Sequence, residues 1–355
     1  MLSIKENIEL KPYTTLQLGG PADYFCECGS LYELQDAIRF AVSREERLHI
    51  LGGGSNTIFS DTGFRGCVVR IGMKGITFIE DGNDVLVTAQ AGEDWESFVR
   101  TTVEKGFSGL ECLSGIPGNV GATPIQNVGA YGQEVKDTIE SVSVLERTTL
   151  NEIIFTNADC GFSYRTSRFK TADAGKYIVT SVTFRLKKNG RPTIHYPEVK
   201  KVIDAQVDLS ALAEGRESLS AVREIVIGLR KKKSMVIDPN DPNTRSVGSF
   251  FLNPIVDADV LEHVSAVWTK IGDGSAVPTF PFEEKKKIPA AWLIERAGFT
   301  KGTKKNGVGI SENHSLALVN YHGTVEALLE LAQEIQKGVE SVFGVHLHLE
   351  ANVVS

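Results

Sequence analysis

The stretch that most constrains this chain is Ser114 to Glu134, SGIPGNVGATPIQNVGAYGQE. It carries five glycines and two prolines, and Glu134 is its one charged residue. Neither a helical nor a strand period runs through it. Glycine supplies positive φ and lets backbone approach a ligand closely, while Pro117 and Pro124 stiffen the loop. The polar side chains are the neutral hydrogen-bonders Asn119, Thr123, Gln126, Asn127 and Tyr131. Such a loop suits a large, polar, partly anionic organic molecule held by backbone N–H groups. A plain surface loop is the alternative, but surface loops usually carry more charge.

A second glycine run, Gly52-Gly53-Gly54-Ser55-Asn56, follows a short apolar strand at Leu48 to Leu51. It lacks the Gly-Lys-Ser/Thr of a P-loop. Ile58 to Ile71 behind it reads as strand, so no helix opens there and the dinucleotide fingerprint fails. Strand, glycine turn, strand still permits a nest of amides for an anion.

The 355 residues exceed one ordinary core, so two domains are expected. The net charge of −7 argues against non-specific nucleic-acid binding, so any anion must be held locally. Five cysteines without a CxxC pair fit a reducing compartment. No apolar run reaches membrane-spanning length and no secretion signal is visible, so a cytoplasmic enzyme is the expectation.

Helical spacing predicts helices over about 31–46, 95–105, 218–233, 290–297 and 324–342, with Ser218 or Ser220 capping the third. Strands are expected at 85–91, 141–145, 177–186 and 310–320, and a last strand over 345–353 alternates apolar with polar residues. Asn189 to Ser218 reads as a linker bearing Tyr196. Arg165, beside Phe162 and Tyr164, is equally a structural ion-pair member or a carboxylate clamp. Arg230 to Lys233 reads as a solvated helix end. His346, His348 and Glu350 share one strand face and raise a rival reading, a metal-dependent hydrolase.

Four separated motifs, GGGSN at 52–56, GIPGNVGATPIQNVGAYGQE at 115–134, CGFSYRTSRFK at 160–170 and GSFFLNP at 248–254, together resemble UDP-N-acetylenolpyruvoylglucosamine reductases of the form with a tyrosine-bearing substrate loop. The resemblance covers nearly the whole chain. It implies an α+β fold with a two-lobed FAD-binding domain of the vanillyl-alcohol-oxidase/PCMH type over 1–217 (lobes about 1–70 and 71–217). A smaller α+β substrate-binding domain over 218–355 follows, its last strand returning to the active site. It implies non-covalent FAD, reduced by NADPH, and a UDP-sugar substrate that uses the same pocket in turn. Cofactor-binding residues would be Gly52, Gly53, Gly54, Ser55, Asn56, Pro117, Gly118, Gly121, Gln126, Asn127, Gly129 and Val179. Substrate would meet Tyr131, Tyr196, Arg230, Lys233, Asn253 and His314. Arg165 would hold the substrate carboxylate, Ser249 donate the proton and Glu350 stabilise the enol. No metal, nucleic acid or membrane is implied, and the protein would act as a monomer in the bacterial cytoplasm. Two departures stand out: the family's C-terminal Leu-Glu-Pro-Glu-Val is here Leu347-His-Leu-Glu350-Ala, without the proline before Glu350, and Leu252 replaces a family lysine.

Overall fold

The computed structural model describes residues 2–354. Contacts divide the chain into two units. The first holds the segment ending at Ile8, Ala22–Gly54 and Arg65–Val236; the second holds Glu9–Pro21, Ser55–Phe64 and the segment from Ile237 onward. The chain thus changes unit inside the GGGSN run, between Gly54 and Ser55.

In the first unit, β1 (Lys5–Glu9), β2 (Pro21–Cys28), β3 (Leu48–Leu51) and β5 (Phe64–Ile71) form a sheet in the order β1-β2-β5-β3, while β4 (Thr57–Phe59) belongs to the second unit. Helix α1 (Leu31–Ser43) starts where the sequence predicts: Ser30 accepts from the Glu33 amide and the Glu33 carboxylate accepts from the Gly29 amide. It packs Leu34, Ala37, Ile38 and Ala41 into a core with Cys26, Cys28 and Cys67.

A larger antiparallel sheet runs through β6 (Ile76–Asp81), β7 (Asp84–Gln90), β8 (Phe107–Ser108), β11 (Ile139–Glu146), β12 (Glu152–Thr156) and β13 (Tyr177–Lys188), in the order β12-β11-β13-β7-β6 with β8 on β13. A small hairpin, β9 (Gly129–Ala130) with β10 (Gln133–Glu134), forms inside the long glycine loop. Helix α2 (Trp95–Glu104), capped by Asp94, lays Trp95 and Phe98 against Phe184 with ring centroids 5.1–5.9 Å apart.

Residues 189–218 are not simply a linker. Pro197 at the first turn opens α3 (Pro197–Gln206), with Tyr196 as its N-cap residue. Helix α4 (Arg216–Lys232) begins after Gly215 at φ +77°, not at a serine cap: Ser218 is buried and its hydroxyl donates to the Gly215 carbonyl. Val222, Val226 and Leu229 of α4 pack with Cys112, Val199 and Ile203. That packing keeps α4 in the first unit, so the contact boundary falls at Val236/Ile237 rather than at 217/218.

The second unit is built on α7 (Val325–Phe343), capped by Thr324 and stopped by Gly344 in the left-handed conformation. Its buried face, Leu328, Leu331, Ile335, Val339 and Phe343, packs with Phe250, Phe251, Ile294 and Leu347. Helix α5 (Ala258–Ile271) was not expected, although Val260, Leu261, Val264, Val267, Trp268 and Ile271 recur at helical spacing; only Val264 and Trp268 of it are buried. Residues 310–320 are not one strand: β14 (Val308–Ile310) turns back through His314 into β15 (Leu318–Asn320). The last segment is extended from Val345, but regular pairing is confined to Asn352–Val354, parallel to β4, and Val353 is exposed.

Candidate active site

The two glycine runs meet within the first unit. A Cβ on Gly53 would lie 2.7 Å from the Gly118 Cα and 2.9 Å from the Asn119 Oδ1, and one on Gly52 would touch Ala122. Gly121 is as tightly placed, with a Cβ there falling 2.4 Å from the Ala91 Cβ. The Gly121 amide donates to Ala91 and the Ala91 amide to Thr180, so the loop is laced onto the sheet. Gly52 to Gly54 and Gly118 lie outside every helix and strand, which leaves their amides uncommitted to ladder bonds.

The rest of the loop is fastened from inside. Asn127, fully buried at φ +46°, donates through Nδ2 to the Glu134 carboxylate at 2.9 Å and the Ser163 carbonyl at 3.0 Å, and accepts from the Lys136 amide. Gln126 accepts from Lys170 at 3.2 Å. Arg165, at φ +52°, donates to the Gly129 carbonyl at 2.6 Å. Val179 sits opposite Val144 and its side chain is in the core, so its main chain is the part left to meet a ligand.

Tyr131, Tyr196 and Lys233 converge although they are far apart in sequence. The two rings meet edge to face at 5.4 Å, and the Lys233 ammonium lies 5.6 Å from the Tyr131 ring centroid and 2.7 Å from the Glu198 carboxylate. Burial pushes the Tyr131 hydroxyl up to about 12 against the opposing pull of Arg230, and burial also raises Tyr196. Arg230 is no solvated helix end: it donates to the Met235 carbonyl, its Nε lies 3.4 Å from where a Gly115 Cβ would be, and that Nε is buried without a hydrogen-bond partner. Burial lowers its pKa.

One contributor escaped the sequence. Glu111 is fully buried and accepts from Gly109, from Gln133 Nε2 at 2.9 Å and from the Thr193 amide at 3.1 Å. It thereby ties the hairpin bearing Tyr131 to the strand of chain leading into Tyr196. Its partners lie 22 and 82 residues away, so no local pattern announces it; a lone carboxylate in the apolar run Leu110–Leu113 is the only hint.

In the second unit, residues 250–252 and 348–350 run antiparallel. The Glu350 amide donates to Phe250, Leu252 donates to His348, and Phe251 bridges Leu349. This places Ser249, next to Gly248 at φ +76°, and Glu350 on neighbouring segments. Asn56 reaches the same place, its Nδ2 donating to the Glu350 carbonyl and its own carbonyl accepting from Asn352; Ser55 precedes it. Asn253 has a structural partner, since its Oδ1 accepts from the Ala290 amide at the start of α6 (Ala290–Arg296). His314 lies in the β14–β15 turn, half-buried. His346 and His348 are exposed with rings 5.0 Å apart, and among the described residues no three His, Cys, Asp or Glu side chains gather as a metal set.

Comparison with known proteins matches two families along the chain. An FAD binding domain family matches residues 22–149, and the C-terminal domain of UDP-N-acetylenolpyruvoylglucosamine reductase matches 239–354. The class is therefore an FAD-binding α+β protein with a second domain of the reductase type. The chain is 45% identical to the UDP-N-acetylenolpyruvoylglucosamine reductase of Thermobifida fusca, over 97% of this chain and 96% of the relative. It is 44% identical to that of Saccharopolyspora erythraea, over 97% and 94%. The crystal structure of the Thermus caldophilus reductase superposes with a TM-score of 0.66 at 24% identity, covering all of both chains. The chain belongs to the UDP-N-acetylenolpyruvoylglucosamine reductase family, and its fold is an α+β FAD-binding domain followed by an α+β second domain.

Proposed function

We propose a residue-level account of the family's reaction in this chain. The enzyme uses FAD and NADPH to reduce the enolpyruvyl group of UDP-N-acetylglucosamine enolpyruvate, giving UDP-N-acetylmuramate for peptidoglycan synthesis. The observation that carries the account is the close approach of Gly53 to Gly118, which fits a cofactor gripped by backbone. Gly52, Gly53, Gly54, Ser55, Asn56, Pro117, Gly118, Gly121, Gln126, Asn127, Gly129 and Val179 would hold FAD, which when bound supplies hydride between NADPH and substrate.

Hydride addition to one carbon of the double bond leaves negative charge on the other, delocalised into the carboxylate. Arg165 would hold that carboxylate and stabilise the charge. The Ser249 hydroxyl would give its proton to the charged carbon, and Glu350 would share a hydrogen bond with the developing enol. Tyr131 and Tyr196 would hold the sugar nucleotide, and Arg230 and Lys233 its diphosphate. Asn253 would have only its amide N–H groups for substrate, its oxygen being engaged by Ala290. His314 completes the substrate set. Most of these FAD contacts lie in the first unit, and Ser55 and Asn56 in the second. We place the enzyme in the bacterial cytoplasm as a monomer; among the described residues no helix is long and apolar enough to cross a membrane.

Replacing Arg165 by Ala should leave flavin bleaching by NADPH intact and slow reoxidation by the enolpyruvyl sugar nucleotide about 100-fold. Equal loss in both half-reactions would remove the clamp role.

A further inference from the structure

Lys233 is already held by an anion. Its ammonium lies 2.7 Å from the Glu198 carboxylate, with both side chains about one-third exposed (33% and 37%), and it lies near the face of Tyr131. Glu198 sits in the first turn of α3, two residues after Tyr196, and Lys233 caps the end of α4. The carboxylate therefore occupies the position from which a phosphate oxygen would address Lys233. Both are oxyanions that an ammonium binds as a point charge, and one cation cannot serve both at full strength.

We propose that Glu198 is an affinity-setting residue: it competes with the diphosphate of the sugar nucleotide for Lys233, and binding proceeds by exchange of one oxyanion for the other. This rests on the assignment of Lys233 to the diphosphate. The exchange makes Glu198 a brake on sugar-nucleotide affinity and leaves flavin reduction untouched. The sign is what separates it from a structural part. If Glu198 merely secured α3 and Tyr196, its removal would weaken binding, since a carboxylate in the first turn of a helix is stabilising.

The test is titration of the oxidised holoenzyme with UDP, followed by the flavin absorption change and by calorimetry, in low salt. Glu198→Gln should bind UDP about two- to fivefold more tightly, the range set by part-exposed ion pairs. The gain should shrink on addition of salt. Lys233→Met should weaken UDP binding, and adding Glu198→Gln to it should give no gain. Unchanged or weaker binding by Glu198→Gln, with Lys233→Met weakened, overturns the competition and leaves the Lys233 assignment standing. Undiminished UDP binding by Lys233→Met overturns both. Melting curves of each holoenzyme variant report whether α3 has loosened, and tighter binding with an unchanged or lowered Tm supports the brake.

Discussion

The glycine loops of the first unit and the Ser246–Asn253 and 348–350 segments of the second grip in different ways. In the loops, backbone meets backbone: Gly53 against Gly118, Gly121 against Ala91. In the second unit, residues 250–252 and 348–350 exchange main-chain hydrogen bonds, and Ser249 and Glu350, the proposed chemical groups, sit on or beside those segments. The lesson is that equally small changes should fail differently. A methyl group in the loops should damage folding and flavin retention; a lost Ser249 or Glu350 oxygen should damage one chemical step and spare the fold.

The largest effect expected is from Ser249→Ala. Flavin reduction by NADPH should survive, while reoxidation by substrate slows by about 10²–10⁴-fold in stopped-flow traces. Survival of both half-reactions would break the comparison on the side-chain side. Gly121→Ala tests the other side. The added methyl would overlap Ala91, so the loop must shift, at a cost of about 1–3 kcal/mol. Thermal melting and the flavin content of the purified protein should both fall; unchanged values would show that the loop tolerates a side chain.

Proton uptake sharpens the contrast at the strand feeding the first glycine run. Burial, then Arg147 and Arg47, lower the His49 pKa to about 4 from 6.5. A depressed imidazole is neutral when folded, so the unfolded chain binds more protons below about 6.5. Stability should hold above that pH and drain by about 1–3 kcal/mol as pH falls from 6.5 through 4. Urea unfolding across this range checks it, and His49→Leu should flatten the slope.

Much of this was legible in the chain. Ser30, Asp94 and Thr324 announce their helices through caps, and Gly344 ends α7, because these are local agreements between side chain and backbone. Helix α3 was hidden by the polar residues on either side of it. The 310–320 hairpin was hidden because a buried hairpin and a buried strand share an apolar pattern. At the site, the glycine runs could be read as backbone grips, but not that they touch each other. The Glu111 hub depends on Thr193, 82 residues away, and only the folded chain makes it visible.

Two smaller effects separate structural from chemical roles. Asn253→Ala removes the acceptor for the Ala290 amide and should cost about 1 kcal/mol of stability, seen as a lower Tm. A loss of substrate affinity beyond that would confirm that its amide group also meets ligand. His346→Ala and His348→Ala should change rate and stability by less than about 0.5 kcal/mol, because both side chains are exposed. A large loss, or zinc at one per chain, would revive the metal reading.

The most direct measurement is an anaerobic double-mixing experiment on the purified protein. NADPH should bleach the flavin band near 450 nm, in the usual range for oxidised flavin at roughly that wavelength. The enolpyruvyl UDP-sugar should then restore it with no oxygen present. A band that stays bleached with that substrate and returns only when oxygen is admitted would contradict the account.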